Sequence, residues 1–162
     1  MAAESGPTDA GIEARRREAV IDLLVREGHR FPFFRAVQLI QACHPDAPPV
    51  GTQGPADAEV IRFRPELSLA FAPSDVRGIR RMRSSVPGQE RLELIVTFLG
   101  LYGPASPLPA HYTEDLFEKD PEENLALQIL DLFHHRAISL LFRAWEKYRW
   151  TARFAPRGKD HI

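Results

Sequence analysis

Residues 96–149 constrain this chain more than any other stretch, because they join a short apolar run, a loop crowded with glycine and proline, and a helix with apolar side chains around most of its circumference. The loop, GLYGPASPLPAHYTEDL, places Leu101 and Tyr102 between Gly100 and Gly103 and follows them with Pro104, Pro107 and Pro109. Glycine admits backbone angles closed to other residues, whereas proline fixes φ and removes a donor, so the connection is expected to be rigid and wrapped. Its apolar Leu101, Tyr102 and Leu108 then need a surface, and the long helix offers one, with Leu101 expected to reach Trp145. Asp120-Pro121-Glu122-Glu123 reads as the start of that helix: an aspartate cap, proline at the first position and acids in the first turn. The helix is expected to run to about Trp150. Ile129, Phe133, Leu140, Trp145 and Tyr148 lie on a wide apolar stripe that Ile138 and Phe142 carry further around. Burial on nearly all sides is implied. With Trp145, Tyr148 and Trp150 gathered at the end, a partner chain, or a further part of this protein, is expected to cover an apolar patch centred there.

Upstream, the pattern predicts a helix over 11–27, with Val20, Leu23 and Leu24 on its apolar face and Gly28 stopping it. Arg15, Arg16 and Arg17 on this helix are surrounded by Glu13, Glu18 and Asp22, with no aromatic residues between them for base stacking, and are read as a solvated face. A second helix opens at Phe31-Pro32 and runs to about Cys43, with Phe33, Ala36, Val37 and Ile40 at helical spacing and Phe34 partly off that stripe. Residues 45–58 form a loop that lacks the lysine and spacing of a phosphate-binding loop. Short strands are expected at 60–63 and 67–71 around Pro65-Glu66. Alternation makes 92–98 the clearest strand, with Leu92, Leu94, Val96 and Phe98 on one face. The intervening Arg77, Arg80, Arg81 and Arg83 are the only local excess of positive charge, read as an exposed helical turn and loop, or else a surface for an acidic partner. A short helix over about 110–118 precedes the long one. The fold class is therefore α+β: two N-terminal helices, a small, mostly antiparallel sheet of about three strands, the Gly/Pro-rich loop and the long aromatic helix. Residues 1–10 are expected to be disordered, 11–150 to form one domain and 151–162 a flexible tail.

With 21 basic and 22 acidic residues the net charge is -1, so no bulk field draws nucleic acid or an anionic membrane. Cys43 is the only cysteine, which excludes an internal disulfide and a cysteine-built zinc site and suits a small buried hydrophobe. The opening MAAESGPTDAG lacks the apolar core of a signal peptide, and the apolar stretch around 129–145 is interrupted by Asp131, His134, His135, Arg136 and Arg143. A cytoplasmic location and a core helix, with no membrane insertion, are expected.

Three stretches in order carry a family likeness: FPFFRAVQLIQ at 31–41, IRFRPELSLAFAPSDV at 61–76, and VTFLGLYGPASPLPAHYTEDL through LDLFHHRAISLLFRAWEKYR at 96–149. They resemble TssG, the type VI secretion baseplate family also called ImpH or VasB, over its N-terminal half. Ala105-Ser106 and His134 depart from the family's usual serine-glycine and asparagine. The resemblance implies a structural wedge component that scaffolds assembly of the contractile tail through protein contacts, on the cytoplasmic side of the inner membrane. It also implies partners: TssF, TssE, the TssK adaptor and the VgrG hub, with TssF the likeliest for this region because the TssK-binding loops belong to the other half. No cofactor, nucleic acid or small-molecule substrate is implied. Leu101, Tyr102, Leu108, Trp145, Tyr148 and Trp150 are the candidate partner-binding residues.

The residues themselves offer little for catalysis. Adjacent His134 and His135 point about 100° apart on a helix, whereas zinc ligands on one helix face need i, i+4 spacing. Asp131 and Arg136, on a mostly apolar helix, are expected to pair with other segments. His111 and Glu114 share one helix face and define the alternative reading, a small hydrolase, but no nucleophile or oxyanion loop stands beside them.

Overall fold

The computed structural model describes residues 9–52, 59–83, 90–104, 106–118 and 124–148. Helix α1 spans Asp9–Glu27 and yields at Gly28 to a single 3-10 turn, Gly28–Arg30. Its start lies within the stretch expected to be disordered; residues 1–8 and the expected tail at 151–162 fall outside the described residues. Ile21 and Leu24 bring α1 into the core, and Arg15, Arg16 and Arg17 are exposed. Helix α2, Phe33–Cys43, buries Phe33, Ala36, Val37 and Ile40, the face that the i, i+3, i+4 spacing selects.

Three strands follow: β1 at Ile61–Pro65, β2 at Val76–Met82 and β3 at Arg91–Val96. They lie in the order β1-β3-β2, with β1 parallel and β2 antiparallel to β3. The sheet is therefore mixed, and the expectation of a mostly antiparallel one is corrected. So are two of its strands. Residues 67–71 do not form one: the β1 ladder ends with Glu66 donating to Val96 O at 2.7 Å, where β3 itself ends, so the chain beyond has no strand to pair with. Leu69 and Phe71 are consequently exposed. The arginine-rich stretch expected as a helical turn is instead β2. A bulge between Val76 and Gly78 shifts its register, so that Val76 and Ile79, an odd distance apart, both reach the core.

Leu92, Leu94 and Val96 of β3, Ile61 and Phe63 of β1, and Val76 and Ile79 of β2 meet the buried faces of α1 and α2, together with Ile138 and Phe142 of the last helix. Phe33 sits among Phe63, Phe98 and Phe142, with ring centroids 5.7, 5.0 and 6.5 Å away. The cations of β2 are answered internally: Arg81 reaches Glu18, Asp22 and Glu90 at 2.7, 2.7 and 2.6 Å, Arg80 pairs with buried Glu93, and Arg77 with Glu66 at 3.0 Å. Carboxylates of this chain already hold three of the four arginines that the sequence offers to an acidic partner.

Helix α3, Ala110–Phe117, leads to α4, Leu125–Lys147. The start expected at Asp120-Pro121 lies outside the described residues, and the observed cap is Asn124. Its Oδ1 accepts from Leu127 N at 3.1 Å while its Nδ2 donates to Leu116 O at 3.3 Å, tying the two helices together.

Candidate functional site: an interaction face on the last helix

Helix α4 lies along the free edge of β1, and the chemistry of that edge decides which of its side chains turn inward. In a ladder with β3, alternate residues of β1 point their backbone groups away from the sheet, where they need partners. Phe63 N donates to His135 Nδ1 at 3.2 Å, and Pro65 O accepts from the Tyr102 hydroxyl at 3.1 Å. Pro65 suits this edge because it has no N–H to satisfy. The loop backbone is held the same way, Leu101 N donating to His134 Nε2 at 2.8 Å.

The inward arc of α4 is accordingly polar. Asp131, His134, His135 and Ser139 are all buried, beside Leu127, Ile138 and Phe142. Asp131 is the hub: Arg64 Nε lies 2.8 Å from Oδ2, the Tyr102 hydroxyl donates to Oδ1 at 2.7 Å, and His134 Nδ1 is 3.7 Å away. Burial, and next the hydrogen bond and charge of Asp131, push the Tyr102 hydroxyl well above the ordinary tyrosine range. His135 Nε2 faces Glu59 at 3.4 Å. Each imidazole accepts a backbone N–H at one nitrogen, and its remaining nitrogen lies near a carboxylate without a hydrogen bond to it, so that His134 Nδ1 and Glu59 Oε2 are buried without a hydrogen-bond partner. Glu59 also accepts from Gly51 N at 3.2 Å, and Gly51 O accepts from Arg143 at 2.8 Å and Arg136 at 3.4 Å.

The outward arc is the reverse. Ala126, Ile129, Phe133, Ala137, Leu140 and Ala144 are all exposed, Phe133 by 64%, and Leu125 and Leu132 flank them. Burial on nearly all sides is thus corrected: one arc is covered, and the apolar one is bare. The apolar pattern sees periodicity but not which arc the rest of the protein occupies. By length and composition α4 also reaches what a bilayer span requires, against the expectation from its interrupted sequence. Within this chain Asp131 pairs with Arg64, and His134 and His135 each accept a backbone N–H.

The six candidate residues separate. Leu101 is half-buried, Tyr102 is buried, and both are bound to the first half of α4. Leu108 is exposed. Trp145 is half-buried, stacked on Phe34 with centroids 4.4 Å apart and planes 15° from parallel. Tyr148 is 81% exposed, and Trp150 lies outside the described residues. Leu101 meets α4 at His134, and Trp145 is a further 16 Å or so along the helix at 1.5 Å per residue, so Leu101 N is held about three turns from the tryptophan. The bare apolar surface centres on Phe133 instead of the aromatic end. His111 and Glu114, which carry the hydrolase alternative, stand exposed on α3, with the His111 ring against Tyr112 at 4.3 Å. Among the described residues no three metal-ligating side chains cluster. Cys43, at the end of α2, is half-buried, and its thiol is raised by burial first, with Arg17 opposing and Glu90 adding to the shift.

A family model described as type VI secretion, TssG, matches residues 27–162. The chain belongs to that family. No curated protein and no solved structure matches it.

Proposed function

We propose that this chain, a member of the TssG family of type VI secretion baseplate components, works by scaffolding: it holds other baseplate proteins through contact surfaces and performs no reaction. The observation that carries the proposal is the bare apolar arc of α4 on a helix whose opposite, polar arc is tied to β1 and the loop by hydrogen bonds and an ion pair. Monomeric proteins seldom leave contiguous apolar surface of this kind uncovered. A TssF-type subunit is the expected partner for this region, with TssE, TssK and VgrG as the wider neighbours in a complex on the cytoplasmic side of the inner membrane. Of the candidate residues, Leu108 and Tyr148 are exposed and open to a partner, and Trp150 follows Tyr148 in sequence. Leu101 and Tyr102 fix the loop against α4, and Trp145 fixes α2 against it.

Co-expression with the TssF-type protein of the same secretion system tests this. A complex that survives size exclusion, compared with the chain purified alone, is the expected result. A folded chain that shows no association at micromolar concentration would overturn the reading.

A further inference from the structure

The outward arc of α4 has a shape and a charge that narrow what it accepts. Alanines interrupt the large side chains along it, in the row Ala126, Ile129, Phe133, Ala137, Leu140 and Ala144, at spacings of three, four, four, three and four residues. That spacing keeps the row on one side of a helix and is the pattern into which a second helix inserts its own side chains. Arg136, Arg143 and Lys147 border one edge of the row, and no carboxylate stands on the exposed arc: Asp131 is buried and Glu146 only half-exposed. Arg136 and Arg143 are held in place by Gly51 O, which orders them without cancelling their charge, since the acceptor is a neutral carbonyl.

We propose that this face docks an amphipathic helix of another protein, with apolar residues in heptad-like spacing and glutamate or aspartate along its flank. This rests on the scaffold reading only in taking the occupant to be a protein, and it names the chemistry of that partner. A second copy of the chain fits less well, because in a symmetric antiparallel pair the same edge meets itself and sets Arg136, Arg143 and Lys147 against their own equivalents. The chain's own residues 149–162 are no better matched, with Arg149, Arg153, Arg157 and Lys159 against Asp160 alone. A lipid surface would also attract cations beside an apolar face. The alanines favour a helix, since they open recesses for a partner's side chains, which a fluid acyl layer does not need.

The test uses the full chain and a labelled synthetic peptide of about three heptads, with leucine and alanine at the seam and glutamate on both flanks; a lysine-flanked version is the control. The glutamate peptide should bind at least about tenfold more tightly than the lysine peptide, and its advantage should shrink as salt rises. Phe133→Glu should abolish binding without moving the melting temperature, because Phe133 is exposed, and Lys147→Glu should weaken the glutamate peptide selectively. Equal binding of the two peptides, or none by either, would overturn the proposal. So would sedimentation showing a dimer that Phe133→Glu dissolves, or capture by phosphatidylglycerol vesicles that the variant loses, in each case without peptide binding. Co-purification of the wild-type chain with the TssF-type subunit separates the two readings. If it persists while the peptides fail, only this inference falls; if it is lost while the glutamate peptide binds, only the baseplate assignment falls.

Discussion

Asp131→Ala should be among the most damaging single changes in this protein, and the structure sets its size. The carboxylate is 2% exposed and holds Arg64, the Tyr102 hydroxyl and the neighbourhood of His134 at once. Breaking a buried ion pair by removing one partner costs about 3–5 kcal/mol, mostly because the other charge is left uncompensated. Two features place this case at the low end: the Arg64 side chain is 21% exposed and so retains some water, and Tyr102 keeps Pro65 O as an acceptor. A loss of about 3 kcal/mol is therefore expected, or about 6–12 °C in melting temperature for a domain of this size. Urea unfolding followed by circular dichroism measures it. Replacing the pair together, Arg64→Met with Asp131→Leu, should restore most of the loss, since no charge is then stranded. A cost for Asp131→Ala below about 1 kcal/mol, typical of an exposed ion pair, would refute the account of α4 as a helix pinned by its polar face.

The same hub gives a pH dependence with a definite sign. Tyr102 is raised in the folded state, so its contribution is fully present below the unfolded tyrosine value near 10 and is lost as pH climbs above it. Tyr102→Phe cannot ionise. The stability gap between wild type and Tyr102→Phe should stay constant to about pH 9.5 and then narrow by up to about 1.4 kcal/mol per pH unit. A gap that holds constant to pH 11.5 would remove the ionisation argument.

Cys43 should react with iodoacetamide at pH 8 more slowly in the native chain than in urea, because its raised thiol leaves less of the nucleophilic thiolate; equal rates would contradict this. Gly51→Ala should cost about 1–2 kcal/mol in urea unfolding, since φ is +71° and a Cβ there would lie 2.9 Å from Arg143 Cδ and 3.1 Å from Ser139; a neutral result would mean that the loop shifts freely. A double-mutant cycle of Phe34→Ala with Trp145→Ala should show about 0.5–1.5 kcal/mol of coupling, while Leu101→Ala with Trp145→Ala should be additive within about 0.5 kcal/mol.

How far the sequence could be read depended on whether a residue's place was set locally. α1, α2, β3 and the short α3 were legible because apolar spacing, Gly28 and the alternation of Leu92, Leu94 and Val96 are local signals. β2 was not, because the bulge between Val76 and Gly78 breaks the two-residue period by which a strand is recognised. The parallel pairing of β1 with β3 was hidden too, since the choice of neighbour for Ile61 and Phe63 is made across the sheet. At the candidate site, the apolar content of α4 was plain, but its orientation was not. Ile129, Phe133 and Leu140 were visible as stripe residues, and nothing in their spacing distinguishes a stripe facing the core from one facing a partner. The available signal lay in the polar residues: Asp131, His134, His135 and Ser139 recur at helical spacing, as an inward face would.

The inverted character of α4 follows from what it packs against. A helix covering the face of a sheet meets side chains and buries apolar ones; α4 lies along a strand edge and a loop, where it meets backbone. Backbone groups removed from water need hydrogen-bond partners, so the positions facing Phe63 N–H and Leu101 N–H are histidines, and Asp131 anchors the Tyr102 side chain that satisfies Pro65 O. Once polar side chains occupy that arc, the apolar residues of the same helix remain on the outside. On α4, Leu127, Ile138 and Phe142, with half-buried Leu130 and Trp145, find apolar cover among the described residues. The arrangement also fixes the helix in rotation, because turning it by one residue, about 100°, would strand each of these hydrogen bonds together. An apolar surface held that firmly keeps its side chains in one presentation before a partner arrives, so less ordering remains to be done on binding. The polar inner face and the bare outer face are thus two consequences of a single packing choice.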